Sequence, residues 1–167
     1  MINAANLFTL LRLLLAPVVA TDIIRGRWTR ALIVLFVAGF TDVIDGFLAR
    51  HAGKPTRVGA YFDPIADKIL LIAIYVALGA AQAIPLWMVL LVFGRDLLIL
   101  AMAGYGLAFT TIRQFPPSVW GKISTAVQIA FVLAVLLDIR SAAQVLLWAV
   151  AALTLWSGVD YARRAIL

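Results

Sequence analysis

The sequence predicts an all-α integral membrane protein, a bundle of six transmembrane helices. Three observations predict it. Of 167 residues, 65% are hydrophobic and 13% charged, whereas a soluble domain carries about one quarter charged residues. Mean hydropathy is +1.06, too apolar for a water-covered globule. The apolar residues also fall into runs close to the roughly 20 residues that a helix needs to cross a bilayer.

The runs lie near residues 5–24, 29–49, 61–81, 85–109, 118–138 and 142–162. Each break carries a turn or charge signal. Arg25-Gly26-Arg27 ends the first span, and the stretch from His51 to Val58, with its Gly and Pro, ends the second. Ala83-Ile84-Pro85, Gln114-Phe115-Pro116-Pro117 and Asp138 to Ser141 separate the rest. No internal repeat or low-complexity tract interrupts the pattern, so residues 1–167 read as a single membrane domain. The first run has no basic leader and is expected to be a retained helix rather than a cleaved signal.

Six spans put both termini on one side with the second and fourth loops. That side carries Arg50, Lys54, Arg57, Lys68, Arg113, Lys122, Arg163 and Arg164, against Arg25, Arg27, Arg30 and Arg140 on the other. The bias points the termini to the cytoplasm. Trp28 and Trp87 are expected as anchors at the outer boundary and Trp120 at the inner one.

The net charge of +6 suits anionic headgroups or a phosphate-bearing substrate, and no nucleic-acid motif is present. The absence of cysteine excludes disulfides, thiolate zinc and cysteine nucleophiles. The single histidine, His51, excludes a paired-histidine zinc site and is given no role.

All eight acids are aspartates, and four of them fall where lipid is expected. Asp42 and Asp45 are three apart at the end of the second span; Asp63 and Asp67 are four apart at the start of the third. Both spacings put the pair on one helix face, and the short connection brings the faces to one membrane depth. Four uncompensated anions there would each cost a few kcal/mol. Arg50 and Lys68 are too few to neutralise them. An all-oxygen set of short carboxylates suits Mg²⁺ or Mn²⁺ better than zinc, and two such ions form a clamp for displacement at phosphorus. Gly46, Ala49 and Gly59 keep bulk away from the carboxylates, and Arg50 offers a planar fork to phosphate. A cation transporter would also use intramembrane carboxylates, but usually near the midplane and within inverted repeats.

The pattern D-x2-D-G-x2-A-R-x8-G-x3-D-x3-D is complete in Asp42, Asp45, Gly46, Ala49, Arg50, Gly59, Asp63 and Asp67. In this the chain resembles the CDP-alcohol phosphatidyltransferases. The likeness extends to NLFTLLRLLLAP from Asn6 to Pro17, to Arg95-Asp96, and to GKISTAVQ from Gly121 to Gln128. It implies a six-helix membrane enzyme, commonly a homodimer, with its site open to the cytoplasm. It implies two divalent cations on Asp42, Asp45, Asp63 and Asp67, with Asp67 also the general base, and contacts to the CDP group from Gly46, Ala49, Arg50 and Gly59. The donor would be CDP-diacylglycerol and the leaving group CMP. With no organelle-targeting segment in the sequence, the expected membrane is a prokaryotic inner membrane.

The acceptor is a finer question. AGFTDVIDGFLAR, FDPIADKIL, Arg95-Asp96 and GKISTAVQ look most like the CMP-forming cardiolipin synthases, which use phosphatidylglycerol. The alternative is phosphatidylglycerophosphate synthase, which uses glycerol 3-phosphate. That group typically has Arg-Glu in the fourth span and a second Arg eight residues later, where this chain has Ala103. Arg95, Lys122 and Arg113 are the candidate acceptor contacts. Arg95 is weighed evenly between that role and simple neutralisation of Asp96. Lys122 is weighed against the commoner use of such a lysine as an interfacial anchor, and Arg12 and Arg113 are expected mainly as interfacial charges.

Overall fold

The computed structural model describes the backbone of residues 4–51, 57–109 and 119–166, and the side chains of residues 10–40, 68–99, 101, 119–160 and 163. The described chain is all-α. Its helices are α1 (Ala4–Ile24), α2 (Trp28–His51), α3 (Arg57–Ala80), α4 (Leu86–Phe109), α5 (Val119–Leu136) and α6 (Arg140–Ile166). These are the six expected runs, with ends moved by four residues or fewer. Among the described residues, Val119–Leu136 and Arg140–Asp160 are long and apolar enough to cross a membrane, and the apolar stretches Trp28–Phe40 and Lys68–Ala80 are shorter.

Three helices end in the same way. Gly26, Gln82 and Asp138 each take a positive φ, of 69°, 56° and 53°. After each of them the next backbone N–H reaches back along the helix: Arg27 to the Asp22 carbonyl, Ala83 to Leu78, and Ile139 to Ala134. The positive-φ residues themselves donate to Ile23, Gly79 and Val135. This double bond pattern is a Schellman cap, which satisfies carbonyls that a helix end otherwise leaves without partners. Glycine takes this conformation without cost, so Gly26 is well matched while Gln82 and Asp138 carry a steric penalty.

The chain divides into two compact units, residues 1–83 and 84–167. In the first, α1 packs against both α2 and α3. Its buried positions Arg12, Ala16, Val19 and Ile23 advance by four, three and four residues, so they form one stripe. Ala31 and Ala38 of α2 are buried, as are Leu70, Ile74, Tyr75, Ala77 and Leu78 of α3. The small α2 residues allow close backbone approach, as in membrane helix pairs. Arg12 is part of this packed stripe, with 3% of its surface exposed.

In the second unit, α6 packs against both α4 and α5. Met88, Val89 and Val92 of α4 are buried, together with Phe131, Val132, Ala134 and Leu136 of α5 and Val150 and Ala151 of α6. Outward faces are apolar too: Phe36 and Phe40 stack on α2 at 6.3 Å, and Val145, Trp148 and Leu155 are exposed on α6. Exposed large apolar side chains on this scale suit contact with lipid rather than water.

Candidate active site

Two groups of polar residues lie within the apolar helices, one in each unit. In the first unit, the backbone carries all four motif aspartates on continuous helix, Asp42 and Asp45 on α2 and Asp63 and Asp67 on α3. Asp45 precedes the end of α2 by six residues, and Asp63 follows the start of α3 by six. At 1.5 Å per residue, each lies about 9 Å along its helix from the 52–56 connection. Asp42 and Asp67 lie about 14 and 15 Å from it by the same measure. Gly46, Ala49 and Arg50 follow on α2, and Gly59 is in the first turn of α3. The side chains of residues 41–67, and with them every motif position, lie outside the described residues.

Arg12 enters the same half of the unit from α1. Eight residues separate it from Ala4, about 12 Å along the helix.

The far end of this unit carries a separate charge group. Asp22, near the end of α1, is buried, and its carboxylate pairs with Arg30 at 3.2 Å and Arg27 at 3.8 Å. Both arginines are about half exposed or more, so these pairs contribute at the low end of the usual range. The single carboxylate offsets one of the two basic charges it meets at that end.

In the second unit, Arg95 on α4 is buried. Its Nη1 donates to Asp96 Oδ1 at 2.6 Å and its Nη2 to Ser157 Oγ at 2.7 Å. Adjacent helical residues do not face one another; the pair forms because the long Arg95 side chain turns back over its neighbour while reaching α6. On α5, the buried Gln128 approaches Ser124 at 3.5 Å and Thr154 of α6 at 3.4 Å through Nε2. Thr154 and Ser157 lie three residues apart on α6, so one face of this helix meets both α4 and α5. Lys122, by contrast, is exposed at the start of α5. Arg113 lies outside the described residues.

Sequence reasoning found Arg95 and Asp96 but missed Ser157, Thr154 and Gln128. The spacing was visible, at i, i+3 on α6 and i, i+4 on α5. Hydroxyls in helices, however, commonly bond to their own backbone, as Thr125 does to the Gly121 carbonyl at 3.0 Å and Thr21 to Pro17. Two of the three expected tryptophan anchors, Trp87 and Trp120, each meet a tryptophan of α6. Trp87 meets Trp148 at 6.1 Å and Trp120 meets Trp156 at 6.2 Å, and all four are largely exposed.

The comparison with known proteins bears on both polar groups. Residues 2–156 match the family described as CDP-alcohol phosphatidyltransferase. A "Probable phosphatidylglycerophosphate synthase" of Mycobacterium tuberculosis is 36% identical over 98% of this chain and 82% of its own length. The human "Cardiolipin synthase (CMP-forming)" is 33% identical over 77% of this chain and 48% of its own length, so the match spans about half of that protein. A "CDP-diacylglycerol--glycerol-3-phosphate 3-phosphatidyltransferase" of Haemophilus influenzae is 32% identical over 77% of this chain and 73% of its own. The matched segment takes in all four motif aspartates together with Arg95 and Lys122, and the chain belongs to the CDP-alcohol phosphatidyltransferase family.

Proposed function

We propose that the protein transfers the phosphatidyl group of CDP-diacylglycerol to the hydroxyl of phosphatidylglycerol, forming cardiolipin and releasing CMP. The observation that carries the reading is the complete eight-position motif on two continuous helices, with its aspartate pairs at matching distances from the connection. The six helices form one membrane domain across residues 1–167, in a prokaryotic inner membrane, with the motif toward the cytoplasm. The protein works as a homodimer.

Asp42, Asp45, Asp63 and Asp67 fit a pair of divalent cations, Mg²⁺ or Mn²⁺, because the set is all carboxylate and otherwise self-repelling. When bound, such ions supply charge neutralisation at the reacting phosphates. The chain's own residues do the rest. Arg50 pairs with the CDP phosphates, while Gly46, Ala49 and Gly59 leave room for the nucleotide. The Asp67 carboxylate accepts the proton of the acceptor hydroxyl. The freed oxygen bonds to the phosphorus that carries the lipid, and the bond from that phosphorus to the bridging oxygen breaks. CMP departs with that oxygen.

Arg95 takes the acceptor's phosphate, aided by Lys122 and Arg113. Its charge is balanced by Asp96 at 2.6 Å, so Arg95 acts there as an oriented donor more than as a net cation. A phosphodiester with one negative charge suits such a contact better than the dianion of glycerol 3-phosphate. Ala103, in place of a second arginine, points the same way. The second reading, glycerol 3-phosphate as acceptor, draws its support from the M. tuberculosis relative, whose match covers 98% of this chain.

Product analysis separates the two. Purified protein given CDP-diacylglycerol with both acceptors at equal concentration is expected to yield cardiolipin as the main lipid by mass spectrometry. Phosphatidylglycerophosphate as the main product would overturn the acceptor assignment and leave the phosphatidyltransferase reading standing.

A further inference from the structure

We infer that Ser157 of α6 is a positioning residue for the acceptor, acting by holding the Arg95 guanidinium in one direction; this rests on the reading that Arg95 contacts the acceptor's phosphate. An arginine side chain is long and flexible, with about 2 kcal/mol of rotamer entropy. Left to itself on α4, it would sample several directions. Here its two terminal nitrogens are held from two helices, Nη1 by Asp96 Oδ1 on α4 at 2.6 Å and Nη2 by Ser157 Oγ on α6 at 2.7 Å. Two fixed points on a planar fork fix its plane.

The two holders differ in what they do. Asp96 balances charge and lies on the same helix, so it moves with Arg95. Ser157 is neutral, fully buried and on another helix, so its oxygen ties the guanidinium to the frame of the unit. A hydroxyl is also a small acceptor that takes one N–H without adding charge. Ser157 thus contributes direction without cancelling charge, which is what a site for a phosphodiester needs from a supporting residue.

The test is a kinetic cycle in mixed micelles with phosphatidylglycerol as acceptor. Ser157→Ala is expected to raise the acceptor KM about tenfold, the lower end for loss of a hydrogen bond to a charged group, with kcat and the KM for CDP-diacylglycerol within about twofold of wild type. Ser157→Thr, which keeps the hydroxyl, is expected to restore most of the loss. In an Arg95→Gln background, Ser157→Ala is expected to have no further effect on acceptor KM. Should Ser157→Ala fail to fold, Ser157→Cys keeps the volume while weakening the acceptor atom and carries the same expectation.

An Arg95→Gln variant with wild-type acceptor KM would overturn the reading of Arg95 and the inference with it. An Arg95→Gln variant with raised acceptor KM, beside a Ser157→Ala variant with unchanged acceptor KM, would overturn the inference alone. The inference also falls if Ser157→Ala lowers kcat and changes both KM values alike, the pattern of a merely structural residue.

Discussion

Removing Asp96 from the second unit should destabilise the protein far more than removing Arg95 and Asp96 together. The Nη1–Oδ1 distance is 2.6 Å and the two side chains are 7% and 6% exposed. At an effective dielectric constant near 20, the gross attraction at that distance is about 6 kcal/mol. Desolvation of the two ions offsets most of it. Asp96→Ala forfeits the attraction while the guanidinium stays buried, and Ser157, a neutral acceptor, does not replace it. The expected cost is about 3–5 kcal/mol. Replacing both residues by apolar ones of similar size, Arg95→Met with Asp96→Leu, removes the pair and its desolvation penalty together. That double variant is expected to lie within about 1–2 kcal/mol of wild type. Equilibrium unfolding in mixed micelles, followed by tryptophan fluorescence, reads both values. An Asp96→Ala cost below about 1 kcal/mol, or a double variant less stable than the single one, would refute a charge-paired core at this place.

Other expectations follow from the caps and the motif. Gln82→Gly relieves a side chain held at φ 56° and should stabilise the protein by about 0.5–1 kcal/mol, the steric gain less glycine's greater entropy cost; a loss of stability in the same assay would count against the cap. Asp22→Asn should cost no more than about 1 kcal/mol by weakening two half-exposed ion pairs, with transfer activity unchanged; loss of activity in the folded variant would show that the far end of the unit matters to the chemistry. Excess chelator should stop turnover and loosen α2 and α3 to hydrogen exchange, and full activity in chelator would end the two-cation reading. Asp42→Asn should raise the Mg²⁺ concentration needed for half-maximal rate, and an unchanged requirement would remove Asp42 from the ligand set.

Sequence and structure agree where physics acts locally. Each helix follows from an apolar run of sufficient length, and the turns at Gly26, Pro85 and Asp138 were visible because turn chemistry is set by one or two residues. The motif was legible because helix spacing alone puts Asp42 beside Asp45 and Asp63 beside Asp67. What escaped depends on contacts between helices. Ser157 is an ordinary small residue in an apolar run until α4 brings Arg95 to it, and Gln128 acquires meaning only when Thr154 comes within 3.4 Å. The burial of Arg12 was hidden for the same reason, since it depends on the packing of α1 against its neighbours. Asp22 passed unnoticed because an acid at a helix end is usually solvated, whereas Arg27 and Arg30 cover it here.

The central claim is that the aspartate pairs of α2 and α3 carry out phosphatidyl transfer, and CMP release from CDP-diacylglycerol tests it most directly. Purified wild-type protein with Mg²⁺ and phosphatidylglycerol should release one CMP for each phospholipid formed. Asp67→Asn keeps the size of the side chain but cannot accept the acceptor's proton. It should reduce CMP release by about a hundredfold or more, in keeping with the usual size of a general-base contribution, while still binding CDP-diacylglycerol. Near wild-type CMP release by Asp67→Asn, or none by the wild-type protein with any hydroxyl acceptor, would contradict the account.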